Sequence, residues 1–464
     1  MFFRGFARTI CLLPILTIAE GTEDIAAITS DFVIIGGGSS GTYAAIRLRE
    51  NGKTVTLIER ETVLGGHVNT YHDPVSGQTL DYGVISFDNI SVVKNYFEHF
   101  DVPLGSVGDL YAPKIPYYAN FATATPLSSS PFPSDNATGA ALFAYEGQLA
   151  KYPFLTNGYN LPTPIPADLL LTWGDFLKKY QLEGLSYTAF TTLEGVGNIL
   201  TQPTLYIMKY FPLRTVQNLL TGDFLTTVRH NNHELYDKAL LELGSNALVS
   251  SNVTSVVRNS KGVEVSVSTP SGLKLIKASQ LLIAIQPKLE SLSFLDLNVE
   301  ERYLFGQFNN SYYWDALVRN PGVPADSCVN NANPSAALAL PEMPGMYFIC
   351  ASIIPDVFQV YYTSPHALSN DYVKNDILTT TAKLVNAFGF PPVNGTPEFV
   401  GFNDHRPFEL TVSTKDIAEG FYDRLNALQG ERNTWYTGAT WQLHDSSLIW
   451  NWTEYTLLPK LLET

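Results

Sequence analysis

Gly36, Gly38 and Gly41 stand in the spacing G-x-G-x-x-G, and Glu59 follows Gly38 by 21 residues. Each residue type has a chemical reason to be there. The first glycine permits a tight strand-to-helix turn, the second lets a diphosphate approach the backbone, and the third lets helix and strand pack closely. Ser39 and Ser40 complete the turn beside them. An acid at the distance of Glu59 accepts hydrogen bonds from a ribose 2′-OH and opposes a 2′-phosphate. Arg60 follows, and then a second glycine pair, Gly65-Gly66, with His67 directly after it. A nicotinamide site does not require that second pair, whereas a longer, two-ended cofactor would use it.

The elements that must hold these residues are legible around them. Phe32 to Ile35 is a short apolar run suited to a buried parallel strand. The helix beyond it sets Ala44, Ala45 and Leu48 on one face and stops at Gly52, and Lys53 to Ile58 makes the next strand. A helix N-terminus in this place offers unpaired N–H groups and partial positive charge to a diphosphate. The stretch YHDPVSGQTLDYG reads as a hairpin closing on Asp81-Tyr82-Gly83.

The set G-x-G-x-x-G, Glu59-Arg60, Leu64-Gly65-Gly66-His67-x-x-Thr70 and Asp81-Tyr82-Gly83 resembles the start of the flavin amine oxidase superfamily. Within it, the likeness is nearest to fungal beta-cyclopiazonate dehydrogenase-type oxidoreductases. The resemblance implies FAD. It also implies an α/β fold, in which a glutathione-reductase-like FAD-binding Rossmann lobe carries an inserted α+β substrate lobe. Thr437-Gly438-Ala439 is similar to the family's terminal segment, whose backbone touches the flavin diphosphate. A free helix start at Ser446 and Ser447 would then favour negative charge on reduced flavin. The position of Val253 is implied as a backbone contact to adenine, with a core valine as the plain alternative. His67 departs from the usual Arg, and an isomerase of the same fold carries Lys there, so amine oxidation is not assumed.

The resemblance therefore leads first to an FAD-dependent dehydrogenase or oxidase. It would move hydride from an amine, an indole alkaloid or a similar apolar small molecule to flavin N5, in fungal secondary metabolism. The alternatives are a redox-neutral double-bond isomerase on FAD and a non-catalytic dinucleotide-binding protein. No catalytic base is identified; His67 and His405 are the candidates, and a surface His beside an Arg is the commoner situation for His405. No His/Cys cluster stands at metal-binding spacing.

At 464 residues the chain exceeds what a single core organises. Residues 30–90, 241–290 and 426–464 carry the Rossmann signals; residues 91–240 read as mainly helical substrate lobe and 291–425 as substrate lobe with an antiparallel sheet. Asp168 to Tyr180 and Thr201 to Leu220 have helical period, and the Pro-rich stretch at 126–139 reads as a surface loop or flap. Gly195-Val196-Gly197 follows no strand and is not a second fingerprint. Val263, Val265 and Val267 alternate on a strand, and Leu281 to Ile285 reads as a separate buried one. Ser311 to Val318, Met346 to Ile353 and Val357 to Thr363 are aromatic strands facing a pocket.

A net charge of −15 with no basic run excludes a nucleic-acid partner and leaves a small molecule as the partner in view. Oligomeric state is left open. The N-terminal run from Ile10 to Ala19, preceded by Arg4 and Arg8, reads as a cleaved secretory signal over residues 1–19, with no membrane span remaining. Cys11 would leave with it. Cys328 and Cys350 could then pair in an oxidising compartment, although two cysteines are by default far apart in space. Sequons at Asn89, Asn136, Asn252, Asn309, Asn394 and Asn451 permit glycosylation of a secreted chain.

Overall fold

The computed structural model describes residues 27–108, 110, 114–392 and 395–464. The leader read at residues 1–19 and the Asn394 sequon lie outside them. Two sheets organise the described residues. The first has seven strands in the order Ala247–Leu248, Val55–Ile58, Ile28–Ile35, Gly272–Ile283, Gly262–Thr269 and Asn252–Asn259, with Thr434–Tyr436 added beside Gly272–Ile283. Its centre is parallel, and its central strands are buried apolar runs such as Val33, Ile34, Leu57, Leu281 and Leu282. The fold class is α/β.

Several boundaries differ from the sequence reading; the second strand, for one, starts at Val55 rather than Lys53. The first strand begins at Ile28 rather than Phe32, because Ile28 to Ser30 pair with Ile276 to Ala278. The strand expected to start at Leu281 is the second half of one 12-residue strand, Gly272–Ile283. Its first half pairs antiparallel with Gly262–Thr269 and its second half parallel with Thr434–Tyr436. No glycine or proline lies between Gly272 and Ile283, so nothing stops the pleat where its partners change.

The second sheet has eight strands, in the order Glu398–Asp404, Asn309–Arg319, Val357–Ser364, Gly345–Ala351, Ser327–Asn331, Ile115–Asn120 and Thr125–Leu127, with Phe408–Thr411 paired to the start of Asn309–Arg319. Two of these strands correct the mainly helical reading of residues 91–240. Ile115–Asn120 was concealed by Pro116 and a half-exposed pattern that has no clean apolar face. Helices do fill much of that region, but Thr201 to Leu220 is two helices, Thr204–Tyr210 and Leu213–Thr221, interrupted at Pro212. The expected 126–139 flap shrinks to residues 128–134, since Thr125–Leu127 is a strand and the helix Asp135–Leu149 begins inside it.

Period-two alternation on Asn309–Arg319 divides the sheet's faces. Trp314, Ala316 and Val318 pack with Val373, Ile377 and Leu384 of the helix Asn370–Phe388. Tyr313 points the other way, into the large core shared with the first sheet, and Asp315 shares its face. Cys328 and Cys350 sit directly opposite each other on neighbouring strands and form a disulfide, against the default of separation.

Candidate functional site

The glycines converge at the start of the helix Ser39–Glu50. Gly36 has φ +106°, and a Cβ on Gly41 would lie 1.9 Å from the Gly36 carbonyl oxygen. The amide of Gly65 donates to the Gly37 carbonyl at 2.8 Å, drawing the second glycine pair against the first. Gly438 comes from the far end of the chain, yet a Cβ on it would lie 3.3 Å from Ser40 Oγ. Ser39 Oγ donates to Ser446 Oγ at 2.9 Å. Backbone from residues 36–41, 65–66 and 438–446 thus forms one cradle.

Glu59 ends the second parallel strand and turns toward this cradle. Its carboxylate accepts the Gly37 amide at 2.6 Å and the Glu61 amide at 2.9 Å. The Ser251 amide donates to the Glu59 carbonyl at 2.9 Å, which brings Val253 near the same end. Arg60 goes elsewhere: its side chain is 76% exposed and meets Glu61 at 3.3 Å.

At the other end the chain gathers three histidines. His67 and His405 stand edge to face, with ring centroids 4.3 Å apart, and His67 is stacked 6.3 Å from His444. His405 is not a surface residue beside an arginine; it is 4% exposed, and its Nε2 lies 2.7 Å from Asp315 Oδ2. Arg406, its neighbour, turns away to Asp404 and the Leu368 carbonyl. Asp81-Tyr82-Gly83 has a structural role here, since a Cβ on Gly83 would lie 1.9 Å from the His67 carbonyl oxygen. Burial, then the neighbouring His405, His444 and Arg60, hold His67 well below the usual imidazole range. Burial and His405 push His444 down to about 3. Both are therefore neutral at ordinary pH.

Aromatic rings wall the cluster. Phe408 lies 4.1 Å from His444 and 5.0 Å from Tyr313, while Tyr313 lies 5.5 Å from His405 and 6.1 Å from Tyr361. Two acids stand among them, Glu194 and Glu409, each pushed up to about 8 by burial. His444 Nε2 and Glu409 Oε1 are buried without a hydrogen-bond partner.

The helix Ser446–Trp452 does not begin free. Asp445 caps it, accepting the Leu448 amide at 2.9 Å. Burial raises both Asp445 and the neighbouring Asp88, the latter to about 8. Any stabilisation of negative charge by this helix start is correspondingly reduced.

Comparison with known proteins agrees with the Rossmann-type fold. Residues 34–100 match the NAD(P)-binding Rossmann-like domain. The chain is 39% identical to the FAD-dependent oxidoreductase oblC of Cochliobolus heterostrophus, over 95% of this chain and 92% of that one. It is 34% identical to the beta-cyclopiazonate dehydrogenase of Aspergillus oryzae, over 95% of each. The chain belongs to this family of FAD-dependent oxidoreductases. Among solved structures, the family fold is shared with a fatty acid isomerase from P. acnes, with TM-score 0.73, 18% identity and coverage of 93% of this chain and 98% of that one. Cyclohexylamine oxidase from Brevibacterium oxydans shares it at TM-score 0.62 and 16% identity, with coverage of 94% and 100%.

The residues present fit the family's cofactor. The chain itself does not need a glycine at position 38: a Cβ there would meet nothing closer than Gly66 Cα at 3.9 Å, and φ is −69°. Space kept beside a helix start, and flanked by a second glycine pair, suits a diphosphate. FAD is the cofactor, and the chain is an enzyme. Sequence reasoning missed Asp315, His444, Glu194 and Glu409. Asp315 had a signal, being a lone acid within an aromatic strand on the face of Tyr313. The others had none.

Proposed function

We propose that this enzyme is a dehydrogenase or oxidase of an apolar, ring-containing small molecule that bears nitrogen, working in fungal secondary metabolism. The observation that carries the reading is the wall of Tyr313, Phe408 and Tyr361 around the His67–His405 pair. Aromatic rings and neutral imidazoles suit a flat apolar molecule and leave few polar groups to orient it. The names of the fungal relatives support the same reading. Bound FAD supplies a two-electron acceptor for a C–H bond of the substrate. The chain's own residues then bind, orient and exclude water.

In this reading, Gly36, Gly38, Gly41 and the Gly65-Gly66 pair lie along the diphosphate, with Ser39, Ser40, Gly438 and Ala439 across from them. Glu59 takes the ribose, and Val253 meets the adenine through its backbone. The first-sheet body is the FAD lobe and the eight-stranded sheet with its helices the substrate lobe. The mature chain works in the secretory pathway, a reading supported by the Cys328–Cys350 pair.

Anaerobic mixing with beta-cyclopiazonate and with simple cyclic amines is the test. Bleaching of the flavin band near roughly 450 nm is expected, and oxygen should restore it. His67 in place of the usual Arg favours a second reading, double-bond isomerisation with no net redox change. Turnover without any acceptor, and with the flavin band unchanged, would replace the first reading by the second.

A further inference from the structure

The buried Asp315–His405 pair lies outside the glycine cradle and joins the strand Asn309–Arg319 to the end of its neighbour Glu398–Asp404. Asp315 is fully buried, and its two oxygens are committed: Oδ1 accepts from Asn403 Nδ2 at 2.9 Å, and Oδ2 lies 2.7 Å from His405 Nε2. An ionised carboxylate only accepts, so the imidazole donates through Nε2–H, and its lone pair is at Nδ1. The backbone fixes the ring as well, since the His405 amide donates to the Tyr313 carbonyl at 3.0 Å. The ring meets His67 and Tyr313, with centroids 4.3 Å and 5.5 Å away.

The groups facing His405 divide by charge. His67 and His444 are held neutral by burial, Tyr313 keeps its phenol proton, burial pushes Glu194 and Glu409 up to about 8, and Asp315 is the carboxylate that touches the His405 ring. Arg406 and Asp404 pair with each other on the far side of the chain. A proton arriving at His405 Nδ1 would therefore form an imidazolium already paired with a carboxylate. The other two imidazoles have no such partner among the described residues.

We propose that His405 is the proton acceptor of this enzyme's reaction, with Asp315 as its positioning residue. The substrate C–H bond breaks and its electron pair leaves with hydrogen as hydride to FAD. An adjacent N–H or O–H bond breaks too; its electron pair becomes the second bond of C=N or C=O, and its proton goes to Nδ1 of His405. The substrate loses two hydrogens and two electrons, the cofactor takes the hydride, and the imidazole takes the proton. The inference rests on the oxidoreductase reading and gives it a base.

The test uses holoenzyme in two measurements. Imidazole ¹⁵N NMR of histidine-labelled protein reads the tautomer without any substrate. His405 is expected as the Nε2–H tautomer, and Asp315→Asn should remove that preference while flavin content stays normal. An Nδ1–H tautomer, or indifference to Asp315→Asn, overturns the proposal. Stopped-flow flavin bleaching with beta-cyclopiazonate and 1,2,3,4-tetrahydroisoquinoline reads the role. His405→Gln should slow bleaching by about 10²–10⁴-fold, the range for general base catalysis, with little change in the concentration giving half-maximal rate. Asp315→Glu should recover part of what Asp315→Asn loses. Bleaching by His405→Gln within fivefold of wild type overturns the proposal. Failure of both probes with wild type counts against the proposed substrate class, and the tautomer then decides the base.

Discussion

Gly38 and Gly41 look alike in the fingerprint, yet the structure separates what each is for. A Cβ on Gly41 would lie 1.9 Å from the Gly36 carbonyl oxygen, so Gly41→Ala must move helix or strand. A Cβ on Gly38 would meet nothing closer than Gly66 Cα at 3.9 Å, so in the proposed reading a side chain there obstructs the diphosphate rather than the fold. Gly38→Val is therefore expected to give folded apoprotein with a normal circular dichroism spectrum and no flavin absorbance, whereas Gly41→Ala should lose soluble protein. Normal flavin content in Gly38→Val would refute the assigned cradle. Glu59→Ala should weaken FAD binding by about 1–3 kcal/mol, the scale for a charged hydrogen bond. Titrating apoprotein with FAD measures it. These positions were legible because backbone approach demands glycine and leaves it in the sequence. The proton-handling group was legible only in part: His405 stood as a candidate in the sequence, but Asp315 lies 90 residues away and meets it only because two strands pair, with Asp315 opposite Asn403.

Among elements, the long strand Gly272–Ile283 shows why a short apolar run is legible while its register is not. Val263, Val265 and Val267 announce a strand, but which partner follows is decided by packing. A buried ionic clasp helps to decide it. Arg258 of the Asn252–Asn259 strand donates to Glu301 at 2.6 and 2.9 Å and to Asp296 at 2.7 Å. Glu301 also closes the capping box of the helix Val299–Gln307 and accepts from Tyr436 Oη at 3.0 Å. One carboxylate thereby ties the antiparallel strands, a helix and the strand leading to Gly438. Glu301→Gln leaves Arg258 buried with only Asp296 as counter-charge, and is expected to cost about 3 kcal/mol, the lower end for breaking a buried pair. Urea unfolding would measure this. Burial opposes ionisation of Glu301, but Arg258 outweighs it and holds the carboxyl below its ordinary value. A lowered native pKa gives stability that is complete above the unfolded value, near about 4.3, and lost as pH falls through the folded one. The difference between wild type and Glu301→Gln should hold at about pH 6 and narrow below that threshold; a constant gap would show that the carboxylate's charge is not what stabilises the clasp.

For the whole molecule, the two-sheet division was readable because buried parallel strands and aromatic antiparallel strands have different patterns. Which sequons could carry glycans, should the chain pass through the secretory pathway, is sorted by the fold. Asn136, Asn252 and Asn309 are exposed. Asn89 is not available in the same way: its Nδ2 donates to Asp223 at 2.8 Å, and its Oδ1 is buried. Asn451 lies on the helix Ser446–Trp452 between Trp450 and Trp452, both buried in the core around the fingerprint helix. A glycan is bulky and hydrated, so it is compatible with the folded protein only where the asparagine faces solvent. Protein secreted from a fungal host should therefore begin near residue 20 and carry glycans only among the exposed sites. Peptide mapping after enzymatic deglycosylation reads every site at once. A glycan on Asn89 of flavin-loaded protein would contradict the packing of the Asn89–Asp223 contact, and an unprocessed N-terminus on an unglycosylated chain would refute the secretory reading. The Cys328–Cys350 bridge adds an independent readout, because alkylation before reduction should leave both cysteines unlabelled in secreted protein.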